Sequence, residues 1–167
     1  LKQSLLLLLL LTVLSTPAVS FPGYVGLYAD AEHENFAYCP AAGIFYPIEM
    51  WIWFMPGANG QMCAEFGVVY PANLIQTTVT YNNDLISVFL GDFTAGFSAC
   101  YNTCQYNWHW VAHQTLYVTS PDAGHVAIGP HGDTGVYQVA TCSPGYPLDD
   151  IWEIAQLYYN DPCPPGP

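Results

Sequence analysis

From residue 21 to about residue 142 the chain runs in short apolar stretches separated by Gly, Pro, Asn and Asp, with no repeat period and no low-complexity tract. The alternation predicts strands over 24–29, 48–55, 63–70, 74–81, 85–90, 108–111, 115–119, 125–128 and 136–140. In 48–55, Met50, Ile52 and Phe54 fall on one face and Trp51 and Trp53 on the other, which places that strand in mid-sheet with both sides covered. Strands that recur every ten or so residues are the spacing of an antiparallel sandwich or barrel. One stretch, 148–159, reads instead as a helix, because Ile151, Trp152, Ala155 and Tyr158 or Tyr159 share a helical face behind Asp149 and Asp150. The expected fold is therefore all-β, a two-layer antiparallel β-sandwich, jelly-roll-like in outline, over 21–147. A short C-terminal helix packs on it, and an extended proline-rich tail follows over 160–167.

Residues 1–20 stand apart. Lys2 precedes a run of leucines from Leu5 to Leu11, and Ala18-Val19-Ser20 supplies a small-x-small cleavage site, so the segment reads as a signal peptide. The run is short for a bilayer span, which wants about 20 apolar residues, and no membrane insertion is expected after cleavage. The expected location is secreted or periplasmic. Lys2 is also the only lysine or arginine in the chain. Losing it moves the formal charge from −12 to −13, leaving thirteen acids and no permanent cation. That excludes a Schiff-base lysine, a guanidinium clamp on phosphate, and a basic surface for nucleic acid or anionic lipid.

Six cysteines in an exported chain are most simply three disulfides. Proximity suggests that Cys100 and Cys104 pair across a turn at 101–103, and leaves Cys39, Cys63, Cys142 and Cys163 in unassigned pairings. Cys100, Cys104, His109 and His113 also have the residue types of a zinc site, against which export and an extended backbone both weigh. Asp30, Glu32 and Glu34 alternate after the first strand and form a candidate Ca²⁺ site, or else a solvated loop edge. His131 and Asp133, with His125 nearby in a glycine-rich stretch, have the types of a base and its orienting acid, yet first of all make a turn. Tyr106, Trp108 and Trp110 have the spacing of an aromatic strip on which a sugar could stack, with core packing as the alternative use of those rings.

The stretch 50–92, with its core Glu65-Phe66-Gly67-Val68-Val69-Tyr70-Pro71-Ala72-Asn73-Leu74, resembles the early strands of cohesin-like sandwiches, where a Phe-x-x-x-Tyr strand runs into an Asp-Pro-x-x-Leu type of turn. The aspartate before the proline is missing here, and the cysteines are extra. The mature chain as a whole is similar to exported bacterial β-sandwich proteins. Cohesins bind dockerin partners and are architecturally close to carbohydrate-binding modules, so the resemblance implies a protein or glycan partner at the cell exterior. The function expected from residues and resemblance together is a non-enzymatic exported binding or assembly module. A glycan-binding module built on Tyr106, Trp108 and Trp110 is the alternative, and a metal-dependent or His/Asp hydrolase ranks third.

Overall fold

The structure is a computed structural model, and it describes residues 21–38 and 43–160. The expected signal, Cys39, and the tail with Cys163 lie outside the described residues. Twelve strands form β1 (Gly23–Tyr28), β2 (Ala37–Tyr38), β3 (Pro47–Met55), β4 (Gln61–Val69), β5 (Leu74–Tyr81), β6 (Ile86–Asp92), β7 (Gly96–Gln105), β8 (His109–Val118), β9 (Gly124–Gly129), β10 (Gln138–Ala140), β11 (Leu148–Ala155) and β12 (Leu157–Tyr159). The back layer runs β11-β1-β3-β8-β5, and the front layer runs β6-β7-β4-β9 with β12 and β2 beyond. β10 pairs with β4 on one side and β11 on the other, so it joins the two layers along one edge.

Alternation builds the core directly. Inward residues of the back layer (Val25, Leu27, Ile48, Met50, Ile52, Phe54, Leu116, Val118) meet Ala64, Phe66, Val68, Phe97, Ala99, Val126 and Ile128 of the front. The layers touch through ring contacts such as Phe54 on Phe66 at 5.4 Å and Tyr81 parallel to Phe97 at 5.4 Å. Each such buried side chain contributes about 1.5–3 kcal/mol relative to leaving it in water. Truncating Phe54 or Phe66 to alanine would cost about 3–5 kcal/mol. Strand β3 does sit in mid-sheet, between β1 and β8.

Three expectations change. No described residue is helical, and 148–159 forms β11 and β12. There Asp149, Ile151, Glu153 and Ala155 are the less exposed set, while Leu148, Asp150, Trp152 and Ile154 face solvent, a period of two in place of 3.6. β-Branched and aromatic residues suit that pleat, and the sheet offers β11 partners on both sides. The sandwich is also mixed, because β1 pairs with β11 and β2 with β12 in parallel.

The third change is in the cysteines. Cys100 and Cys104 both lie within the continuous strand β7, which keeps them too far apart to bond, and there is no turn at 101–103. Cys63 bonds Cys100, its direct neighbour across β4 and β7, with Cα atoms 4.0 Å apart. Cys104 bonds Cys142, just after β10, with Cα atoms 5.8 Å apart. These links span sequence separations of 37 and 38 residues. On chain entropy each stabilises the fold by about 4 kcal/mol, far more than the four-residue loop expected from proximity. Non-reducing peptide mapping should recover fragments joined as 63–100 and 104–142. The double substitution Cys104→Ala/Cys142→Ala should lower unfolding free energy in urea by about 3–4 kcal/mol; a 100–104 linkage in the digest would refute this assignment.

Candidate functional site

The two outer faces of the sandwich differ in chemistry. On the front face, alternation turns Cys63, Glu65, Gly67 and Val69 of β4 outward, with Ser98 and Cys100 of β7, Val88 and Leu90 of the edge strand β6, and Ala140 of β10. The middle of this face is made of small residues and the surface cystine, which keeps it flat. Apolar side chains rim it: Leu90 is 71% exposed and Leu148 62%, and Val69 and Val88 are exposed as well. A shallow depression lies at its centre between Cys63, Glu65, Ser98, Gln138 and Leu148.

Glu65 anchors one end of that face. Its carboxylate accepts hydrogen bonds from the Thr134 hydroxyl at 2.8 Å and the Gln138 side-chain amide at 3.0 Å, and lies 3.9 Å from the His131 ring. Burial pushes the carboxyl up, but the Thr134 and Gln138 bonds, with the His131 ring nearby, outweigh it and hold it below its ordinary value. The loop after β9 is thereby tied down on β4 and β7. Glycines make room for it: a Cβ at Gly67 would meet the Pro130 carbonyl at 2.6 Å, and one at Gly96 would strike the His131 ring at 2.6 Å. His131 receives the backbone N–H of Asp133 on Nδ1 at 3.2 Å. Asp133 thus contributes its main chain and not its carboxylate, and the base-and-acid pairing considered for these two residues does not form. His125 is exposed near Tyr158, away from them.

The back face is aromatic. The Tyr28 ring lies over Gly26, where a Cβ would come within 2.6 Å of it. His33 stands between Trp53 at 4.5 Å and Trp108 at 4.8 Å. Trp51 stacks on His113 at 4.3 Å and takes the edge of Trp110 at 5.4 Å. The His113 ring pairs with Glu49, which also accepts from Thr115. Trp108 and Trp110 do reach one outer face, as their spacing predicts, but other rings lie against them and both are half-buried. Tyr106 is exposed elsewhere, packed over Gly60 beside the Cys104–Cys142 bond. The three residues make no single open strip.

Neither metal set is assembled. Among the described residues no group of three or more His, Cys, Asp or Glu is placed to hold a metal ion. Cys100 and Cys104 are consumed in disulfides. His109 and His113 would share a face in a regular strand, but β8 carries a bulge at Val111, opposite Ile52 and Trp53, which turns His109 inward and His113 outward. Asp30 closes its own loop, accepting from the backbone N–H of Glu34 at 2.9 Å and of Asn35 at 3.1 Å, while Glu32 and Glu34 stay exposed.

The apolar rim was hard to find from sequence, because Val88, Phe89 and Leu90 form an unbroken apolar run that does not say which face is wet. Only the partner strand decides. Phe89 turns inward onto Tyr81 and Phe97, and its neighbours turn out.

The chain superposes on a cohesin module of a Clostridium perfringens family 33 glycoside hydrolase with a TM-score of 0.58 and 10% identity, covering 83% of this chain and 95% of that one. A Clostridium thermocellum type I cohesin from a cohesin–dockerin complex gives 0.56 and 8%, covering 87% and 97%. A non-cellulosomal cohesin from the archaeon Archaeoglobus fulgidus gives 0.54 and 10%, covering 83% and 90%. No family model and no curated protein matches the chain. The architecture is that of a cohesin-like sandwich, now seen over most of the chain where the sequence resemblance spanned 50–92.

Between the layers lies a buried histidine. His109 is buried between Phe54 and Tyr101, with Nδ1 against the Asn107 carbonyl at 3.0 Å and Nε2 without a partner. Burial lowers its pKa below the ordinary 6.5, the Asn107 bond opposing in part. The unfolded chain therefore takes up this proton at a pH where the folded one resists. Stability is full above about pH 6.5 and falls as pH drops toward the folded pKa. Glu65 adds a second loss lower down, since its stabilisation is present above 4.5 and disappears as pH falls through its depressed pKa. Thermal melts from pH 7.5 to 5 should show a falling midpoint, and His109→Gln should flatten that slope; a slope that is unchanged in the variant would exclude His109 as its source.

Proposed function

We propose that this chain is an exported, non-enzymatic module that binds or assembles with a partner protein through the outer face of β6-β7-β4-β9. The observation that carries the reading is the flat, small-residue centre of that face within an apolar rim, on a cohesin-like sandwich. Flat faces with exposed Leu and Val are what a docking surface needs, because desolvating such a rim drives association while a level centre lets a partner lie close. Several of the similar cohesins are described in complexes with dockerins, which supports a protein as the partner. The two cystines and the leucine-rich leader support an exterior location. The partner brings no need for anionic groups, since this surface offers no permanent cation.

The test is calorimetric titration of a panel of dockerin modules, including those of Clostridium thermocellum and Acetivibrio cellulolyticus, into the folded, oxidised protein. At least one should bind, and Leu90→Asp should weaken it ten-fold or more with the melting temperature unchanged. If no dockerin binds, or if Leu90→Asp and Val69→Asp leave binding intact, the face is misassigned.

A further inference from the structure

A third surface differs from both outer faces. Strand β11 begins in the front layer, where Asp150 pairs with Gln138 of β10, and continues into the back layer, where Trp152 pairs with Tyr24 of β1. At this corner an open depression is lined by Val136, Tyr137, Asp150 and Trp152. Trp152 is 58% exposed and Tyr137 37%. The Tyr24 ring meets Trp152 edge-on, with planes 76° apart and centroids 6.5 Å apart, and so buttresses the indole without covering it. Trp152 is thus unlike the other four tryptophans, which are all half-buried. Asp150 is exposed on the same side of β11, two residues before Trp152, which sets the two about 7 Å apart along the strand. Among the described residues neither its carboxylate nor the Tyr137 hydroxyl has a hydrogen-bond partner.

We propose that this corner binds a neutral pyranose chain, with Trp152 as the stacking platform, Tyr137 as the second ring and Asp150 accepting from sugar hydroxyls. A pyranose presents an apolar face of C–H groups to an indole and a rim of hydroxyl donors, and the corner offers one partner for each. Its openness suits a point within a polymer, which passes through a shallow groove but cannot enter a closed cavity. Charge sets the class of sugar: residues 21–167 contain no lysine or arginine, so uronates and other anionic glycans would meet thirteen carboxylates and no cation. A quaternary ammonium also likes aromatic rings beside a carboxylate, but it is held where rings enclose it, and Trp152 keeps a face to solvent. The site does not depend on the protein-docking face, and neither reading rests on the other.

Affinity electrophoresis of the oxidised protein in gels containing neutral polysaccharides (β-glucan, xylan, mannan, starch), with calorimetry on the matching hexasaccharides, tests the proposal. At least one polysaccharide should retard the protein. Trp152→Ala should weaken that interaction at least ten-fold, Asp150→Asn and Tyr137→Ala about three- to ten-fold, and Leu90→Asp not at all. Where Trp152→Ala does not fold, Asp150→Asn and Trp152→Tyr carry the comparison. Retardation by no neutral polysaccharide overturns the proposal, as does retardation that survives Trp152→Ala, or choline binding at this corner in place of sugar.

Discussion

Every carboxylate after residue 20 must be satisfied without a lysine or arginine, and that constraint shapes the loops of this sandwich. Asp30 accepts from the main chain of Glu34 and Asn35. Asp92 accepts from the backbone N–H groups of Thr94 and Ala95, both at 2.8 Å, and closes the hairpin between β6 and β7. Asp122 takes the Ser120 hydroxyl, and Glu153 takes the Ile128 N–H and the Gln156 amide. Where a protein with ordinary composition would set a mobile surface ion pair, these four acids take a hydrogen bond from a nearby donor instead. Exposed pairs contribute little in water, so little stability is forgone, and the loops gain definite shapes. Among the described residues two acids lie against histidine rings, Glu49 by His113 and Glu65 by His131, one on each outer face.

The same constraint separates the two faces. With no long cationic stems to cover apolar surface, the back sheet shields itself with its own rings: His33 fills the space between two indoles and His113 stacks on a third. The front sheet has no such cover. Its centre is levelled by Ser98, Ala140 and the Cys63–Cys100 bond, and its rim stays bare. Beneath, the core is conventional except for a polar thread in which Gln61 donates to the Tyr101 hydroxyl at 2.9 Å and Tyr70 donates to Gln114 at 2.6 Å. These bonds meet the needs of groups that would otherwise be costly to bury.

Much of the fold was legible in alternation, and what was not has identifiable causes. Strands β1, β3, β4, β5 and β9 announce themselves by apolar positions two apart and by the turn residues between them. The predicted 108–111 and 115–119 are one strand, β8, whose alternation is broken by the bulge at Val111. Strand β7 was missed because Cys100 and Cys104 look like neighbours along the chain, whereas their partners lie across strands and cannot be read from spacing. In β11 four or five apolar residues fit both a helical face and a half-wet strand, and only the free edges of β1 and β10 decide. Tyr106, Trp108 and Trp110 were singled out because they are close in sequence. The most open indole, Trp152, lies in the stretch read as a helix, on the face expected to pack against the sandwich.

One feature of the topology bears on mechanical load. Strands β1 and β11 run parallel side by side, Gly23 against Ile151 and Gly26 against Ala155. Tension entering ahead of β1 and leaving beyond β11 pulls these neighbours past each other lengthwise, so their ladder resists as a set and does not open one rung at a time. A tether built on this sandwich would hold its grip under drag until the whole seam slid.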